Sequence, residues 1–188
     1  MIVILDNGHG KETKGKRSPV WSDGTQLFEW EFNRDVVRRI SEQLNMDGIE
    51  NNIIVPEEKD IPLSERVRRT NSICDKYGAR NCLFISVHSN AGGGTGWEAY
   101  TTKGTTRSDE FCNMLYEEAD MMWGGEWKIR RNKEENYTVI YGAKCPAVLI
   151  EYFFMDNEKD CHYIMSDEGR DACAEVAVNA IKRWIRKN

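Results

Sequence analysis

The sequence predicts a single α/β domain built on a mainly parallel, twisted sheet of about six strands with helices on both faces. Short apolar runs alternate along the chain with longer amphipathic ones, which is the pattern of an α/β protein. Fully apolar strands between helices are typical of a parallel sheet covered on both faces. A length of 188 residues without repeats or a Pro/Ser-rich linker indicates one domain.

Five segments have the length and composition of strands. The first is ended by the turn formers Asn7 and Gly8, and Pro56 closes the second. The fourth alternates apolar and polar residues, whereas the others are apolar runs of the kind found in buried strands. The predicted strands span residues 2–5, 52–55, 82–87, 97–101 and 147–150.

Longer segments with helical periodicity lie between and after the strands. From Phe28 to Leu44 an apolar residue recurs at every fourth position, and Gly48 ends this first helix. A second helix is expected from Pro62 to Gly78, and further helical segments span 111–122 and 176–184. Residues 124–136 are Trp-bearing, charged and irregular, and we expect a loop or flap there.

The charge balance and the cysteines exclude several classes of protein. With 26 basic and 31 acidic residues the net charge is −5, which argues against a nucleic-acid binder. No apolar run approaches the ~18 residues of a transmembrane helix, so stable membrane insertion is not expected. None of the six cysteines forms a C-x-x-C pair, and we expect six reduced thiols.

Candidate catalytic residues follow the predicted strands. His9 and His88 come directly after two of them, Glu151 ends a third, and Glu29 opens the first helix. Carboxyl ends of parallel strands meet at one edge of a sheet, where α/β proteins bind ligands. Three of these side chains could hold a catalytic zinc ion and leave one carboxylate over, although each histidine could equally be a hydrogen-bonded turn residue. Glu31 competes with Glu29, but the two point about 200° apart on a helix.

The third histidine is expected to lie outside the chemistry. His162 stands next to Cys161 in a predicted helical stretch. Adjacent residues on a helix point in different directions, which disfavours a thiol–imidazole nucleophile pair.

Five stretches of the chain resemble, in order, motifs of the zinc-dependent N-acetylmuramoyl-L-alanine amidases of bacterial cell walls and phage endolysins. Residues 6–10 are similar to the family's Asp-Pro-Gly-His-Gly, and residues 29–33 to its Glu-x-x-x-Asn helix start. Residues 63–67 and 84–91 resemble its Leu-x-x-Arg helix and its Ser-x-His-x-Asn-Ala strand end. Residues 146–151 resemble its Pro-Ala-x-Leu-x-Glu segment.

The resemblance implies His9, Glu29 and His88 as zinc ligands and Glu151 as the catalytic glutamate. It implies a monomeric catalytic domain over residues 1–188, with peptidoglycan as substrate and no separate wall-binding module. The implied reaction is hydrolysis of the amide between N-acetylmuramic acid and L-alanine. A catalytically inactive wall-binding module of the same fold and a zinc peptidase or deacetylase remain alternatives.

Two positions depart from the family pattern. Asn7 replaces the usual Pro, and Phe153 stands where a Gly commonly follows the catalytic glutamate. The second departure bears on the backbone path and on the shape of the pocket wall.

Two further expectations concern the surroundings of the site. Without a recognisable signal peptide, a phage lysin made in the cytoplasm and released onto the wall is expected, or a secreted enzyme whose leader was removed. Residues 11–26, with Trp21, and residues 123–127 are candidate walls of a substrate groove, or else ordinary surface loops.

Overall fold

Six strands and six α-helices alternate along the chain in a computed structural model that describes all of residues 1–188. The strands are β1 (Ile2–Asn7), β2 (Asn51–Ile53), β3 (Cys82–Asn90), β4 (Trp97–Thr101), β5 (Ile129–Glu134) and β6 (Ala147–Phe154). The helices are α1 (Glu29–Met46), α2 (Leu63–Tyr77), α3 (Arg107–Trp123), α4 (Thr138–Tyr141), α5 (Glu158–Met165) and α6 (Asp167–Lys187).

The strands form one sheet in the order β2-β1-β3-β6-β4-β5. Strands β2, β1, β3 and β6 are parallel neighbours, β4 runs antiparallel to β6, and β5 is parallel to β4. The predicted fold class, a mainly parallel six-stranded sheet, is therefore confirmed.

Alternate residues of the central strands enter two apolar layers. In β1, Val3 and Leu5 join a cluster of 35 buried residues beneath α1, α3 and α6. Ile2 and Ile4 join a cluster of 13 buried residues on the opposite face, beneath α2 and α4. Because successive side chains of a strand point to opposite faces, an apolar run of this kind requires cover on both sides. Helices on both faces are thus confirmed.

The loop or flap expected over residues 124–136 is wrong in part, because this segment contains β5. Its sequence, IRRNKE, is polar and half-exposed, since β5 is the edge strand beside β4. An edge strand needs little apolar surface, so hydrophobic periodicity does not reveal it. Asn132 interrupts the strand with a left-handed φ of 60°, and the register with β4 shifts in the same region.

The other predicted elements are present, with shifts at their ends, the largest being at the closing helix predicted over 176–184, which begins at Asp167. The helix predicted over 111–122 begins four residues earlier, at Arg107, after a capping box formed by Thr106 and Asp109. All six cysteines are buried and free, as expected. None of the helices has both the length and the hydrophobicity needed to cross a bilayer.

Candidate active site

Three neighbouring parallel strands bring the predicted site residues to one edge of the sheet. His9 follows β1, while His88 and Glu151 lie near the carboxyl ends of β3 and β6. His88 and Glu151 are register partners, so their side chains leave the sheet on the same face. The ring centroids of His9 and His88 are 4.9 Å apart.

The two glycines beside His9 are required by close contacts. A Cβ atom on Gly8 would lie 2.0 Å from the His88 ring, and one on Gly10 would lie 2.0 Å from the backbone of Asp60. His9 itself has a left-handed φ of 63°. A non-glycine residue in this region is held by its surroundings, a form of backbone strain that concentrates at functional sites.

Glu29 reaches the same edge from the first turn of α1 and is 1% exposed. Its Oε1 lies 3.1 Å from Nδ1 of His88 and 3.3 Å from Nε2 of His9. The same oxygen accepts a hydrogen bond of 3.2 Å from the backbone N–H of Ser89. Glu31, the competing carboxylate, is exposed on the helix surface.

His9, Glu29 and His88 have the donor set and spacing of a metal site. One ligand atom from each lies within 4.8 Å of the others. Oε2 of Glu29 is buried and has no hydrogen-bond partner, so a lone pair remains available inside the cluster. Two imidazoles and one carboxylate are a common protein ligand set of catalytic zinc sites. The residues therefore fit a divalent metal ion such as zinc.

The three side chains influence one another's protonation. Burial opposes ionisation of Glu29, but hydrogen bonds and charges from His88 and His9 outweigh it and hold its pKa well below the usual range. Burial would lower the pKa of His88, but its contact with Glu29 and the charge of Glu151 raise it overall. The pKa of His9 is lowered, mainly by burial. The glutamate is thus ionised, as a metal ligand must be.

Glu151 lies beside this cluster without belonging to it. Its Oε2 is buried and has no hydrogen-bond partner. Burial raises its pKa to about 7, with a smaller contribution from the negative charge of Glu29. A carboxyl group with a pKa near neutrality can both accept and donate a proton at physiological pH.

The buried ion pair between Arg66 and Asp6 stabilises the loop that carries His9. Arg66 of α2 donates from Nη1 to Oδ1 of Asp6 at 2.6 Å and from Nη2 to the backbone oxygen of His9 at 3.2 Å. Ser86 donates to the other oxygen of Asp6, and Asn33 donates to the backbone oxygen of Gly8. Sequence reasoning assigned no role to Arg66 or Asn33, although both lie in the quoted motifs.

A cavity of about 400 Å³ opens beside the two histidines. Its apolar wall comes from the segment leading into α2 and from α4, with Ile61, Leu63 and Val139. The carboxylate of Asp60 lies at the same cavity and accepts a hydrogen bond from the hydroxyl of Thr13. The cavity can hold an uncharged part of a ligand next to the metal-binding cluster.

Residues 123–127, the second candidate groove wall, do not line the cavity beside the histidines. Trp123 is 2% exposed and packs on Phe153 at a ring distance of 5.1 Å, and Trp127 packs on Phe153 at 5.3 Å. Trp123 belongs to the cluster of 35 buried residues, and the partly buried Trp127 packs against that cluster. Trp21 donates from Nε1 to Sγ of Cys161, so it anchors the 11–26 loop on α5.

The fold and the site together define an α/β protein with a candidate metal-binding cluster at the carboxyl edge of the parallel part of its sheet. The family is also shown: residues 3–183 match the family model described as N-acetylmuramoyl-L-alanine amidase. The chain belongs to this family of peptidoglycan amidases.

Two proteins similar to this chain are named as N-acetylmuramoyl-L-alanine amidases. The chain is 27% identical over 189 residues to N-acetylmuramoyl-L-alanine amidase LytC of Bacillus subtilis, covering 98% of the chain and 35% of LytC. It is 25% identical over 184 residues to the amidase CwlM of Bacillus licheniformis, covering 96% of the chain and 67% of CwlM. The chain thus spans only about a third of LytC.

The same fold is found in a solved structure of N-acetylmuramoyl-L-alanine amidase from Clostridium difficile 630. The TM-score is 0.85 at 23% identity, and the match covers 100% of this chain and 97% of that one.

Proposed function

We propose that this amidase is zinc-dependent and hydrolyses the amide between the lactyl group of N-acetylmuramic acid and L-alanine in peptidoglycan. The observation that carries the proposal is the cluster of His9, Glu29 and His88, with ligand atoms within 4.8 Å of one another, beside the unpaired carboxyl of Glu151.

His9, Glu29 and His88 would hold the zinc ion. When bound, zinc supplies Lewis-acid polarisation of a carbonyl and lowers the pKa of a water molecule toward ~7. Glu151 would accept a proton from the attacking water and later deliver one to the leaving amine of L-alanine. Its half-buried position within the central strand β6 suits both steps, because a rigid scaffold keeps its carboxyl within reach.

Two alternatives are less well supported. A wall-binding module that has lost catalysis would not need a complete ligand set together with a separate unpaired glutamate. A peptidase or deacetylase acting on another amide would use the same chemistry and differ in the products. We further propose that the enzyme is a monomer that acts on the wall after release or secretion.

The test of the function is mass spectrometry of the fragments released from purified peptidoglycan. New free amino groups on L-alanine are the expected products. New reducing sugar ends would instead indicate a glycosidase, and cleavage within the stem peptide would indicate a peptidase.

The test of the metal site is the zinc content of purified variants. The parent should carry about one zinc ion per chain, and His88→Ala should lose most of it because two ligands bind weakly. His162→Ala is the matched control, since His162 lies on α5, outside the cluster. Full zinc retention in both His9→Ala and His88→Ala would eliminate the site.

A further inference from the structure

Lys16, in the loop between β1 and α1, brings a positive charge to the metal-binding cluster. Its Nζ lies 3.8 Å from Oε2 of Glu29, the carboxylate oxygen that has no hydrogen-bond partner. At this distance the two groups form an ion pair but no hydrogen bond. The side chain is 42% exposed, so the ammonium lies between the buried carboxylate and the open site.

The backbone of the loop fixes the position of Lys16. The N–H of Glu29 donates to the backbone oxygen of Lys16 at 3.1 Å, and Arg17 forms an antiparallel bridge with Phe28. The N–H of Ser18 donates to the oxygen of Leu27 at 2.9 Å. The backbone of Lys16 is therefore held beside the first turn of α1 by short-range pairing, and the ion pair with Oε2 of Glu29 orients its ammonium.

The charge of Lys16 affects the pKa values of two neighbouring groups, His9 in the cluster and Glu151 beside it. Burial is the main cause of the lowered pKa of His9 and of the raised pKa of Glu151. The positive charge of Lys16 adds to the lowering at His9 and partly opposes the raising at Glu151. Glu29 already has the two histidines and the Ser89 N–H as partners, so Lys16 is not needed to compensate its charge.

We propose that Lys16 is a further catalytic residue, whose ammonium stabilises the negative charge that develops on the oxygen of the scissile carbonyl. This rests on the proposed function. In the hydrolysis, the oxygen of water bonds to the carbonyl carbon, the C–N bond breaks, and the amine leaves with a proton. The carbonyl oxygen carries the negative charge of the tetrahedral state, and the acyl product is a carboxylate on the same carbon. A preorganised cation beside this carbon stabilises both species.

The kinetic test compares Lys16→Met, Lys16→Arg and the control Lys14→Met in zinc-loaded protein acting on a soluble muramyl peptide. Lys14 is an exposed lysine of the same loop, outside the cluster. Lys16→Met should lower kcat by about 10²–10³-fold with a much smaller change in KM, as when one oxyanion donor is removed. Lys16→Arg, which keeps the charge, should recover part of the loss, and Lys14→Met should behave like the parent.

A binding measurement gives a readout independent of turnover. Calorimetry with zinc-loaded protein should show that Lys16→Met binds N-acetylmuramic acid, which carries the lactyl carboxylate, about tenfold more weakly than the parent. N-acetylglucosamine lacks this carboxylate and should bind the two proteins equally. Zinc affinity should be unchanged or higher in Lys16→Met, because a cation next to a metal ligand has been removed.

The outcomes separate this proposal from the proposed function. Suppose that the parent releases amino groups from peptidoglycan, and that Lys16→Met has the same kcat and the same affinity for N-acetylmuramic acid. This result would overturn the role of Lys16 and leave the proposed function intact. Loss of zinc from Lys16→Met would also overturn that role, since the effect on rate would then be structural. A zinc-loaded parent that releases no L-alanine amino groups would overturn the proposed function and this inference with it.

Discussion

The two halves of the sheet each carry a glutamate with a buried carboxylate oxygen, and the two residues face each other across the junction. Glu151 lies on β6, in the parallel half, and Glu98 lies on β4, in the half completed by β5. They are direct register partners in the antiparallel pair of β4 and β6. Like charges at such positions destabilise a sheet, so at least one of them must be compensated.

The surroundings of the two glutamates differ in the number of partners. Glu98 is 1% exposed, forms an ion pair with Arg130 of β5 and accepts a hydrogen bond from the hydroxyl of Tyr100. Lys133, also on β5, has its Nζ 4.0 Å from Glu98. Glu151 has a buried oxygen without any partner and a pKa raised to about 7. A compensated carboxylate stabilises the fold, whereas an uncompensated one is available for proton transfer.

The largest expected effect concerns Glu151. Glu151→Gln should lower kcat by ~10²–10⁴-fold, because a positioned proton-transfer group contributes that much to the rate. Zinc content and the midpoint of unfolding should stay close to those of the parent, since the amide has nearly the same size. Hydrolysis of peptidoglycan, metal analysis and denaturation of the same preparation measure all three.

Glu29→Gln and Glu31→Gln are the matched controls for this change. Glu29→Gln should lose zinc first and activity as a consequence, and the exposed Glu31→Gln should change little. If Glu151→Gln lost its zinc while Glu29→Gln kept it, the two carboxylates would have exchanged roles.

The next effect tests the buried support of the parallel half. Arg66→Met leaves Asp6 as an unpaired charge in the interior and removes a donor to the backbone oxygen of His9. Loss of one partner of a buried ion pair costs ~3–5 kcal/mol in the free energy of unfolding. Chemical denaturation should show this loss.

The control comes from the other half of the sheet. Arg131 of β5 pairs with Asp120, and both side chains are substantially exposed. Arg131→Met should therefore cost no more than ~1 kcal/mol. Equal losses in the two variants would contradict the difference between the halves.

A smaller effect is expected for the compensated glutamate. Glu98→Gln removes the charge that pairs with the partly exposed Arg130, and the loss of a charged hydrogen bond costs ~1.5–3 kcal/mol of unfolding free energy. The zinc content should be unchanged and kcat should stay within a few-fold of the parent. A loss of kcat as large as that of Glu151→Gln, at full zinc content, would assign Glu98 a part in the chemistry.

The smallest expected difference is the one between two truncations of Phe153, which lies two residues beyond Glu151. Its φ of 56° is left-handed, and its buried ring packs against Trp123, Trp127 and Tyr163. Either truncation should cost ~3–5 kcal/mol in lost packing. Phe153→Gly should nevertheless be about 1 kcal/mol more stable than Phe153→Ala, because only glycine adopts this φ without a steric penalty. Thermal unfolding of the two variants decides the order.

The backbone conformation at residue 153 bears on one departure from the family pattern, the phenylalanine in place of the usual glycine. The backbone at this position is left-handed, which is the conformation that favours the glycine commonly found there. This chain adopts that conformation with a phenylalanine, and the aromatic packing around the ring offsets the strain.

The sequence by itself determined the features that depend on local pattern. Buried strands can be predicted from apolar runs such as residues 2–5 and 82–87. An amphipathic helix can be predicted from the apolar residue at every fourth position between Phe28 and Leu44. In each case the pattern lies within the residues of one element. The placement of His9, His88 and Glu151 after or at the end of predicted strands indicated their convergence, because the carboxyl ends of parallel strands meet at one edge of a sheet. The order of the motifs predicted the family.

Only the tertiary structure decided the features that depend on a distant partner. The strand β5 exists because its backbone pairs with β4, and its charged side chains carry no periodic signal. Trp123 is internal because α3 packs on β4 and α6, which its neighbours in sequence do not reveal. Lys16 meets Glu29, and Arg130 meets Glu98, across a loop or a strand junction. The effect of a charge depends on what lies within a few ångströms of it, and that distance is set by the fold.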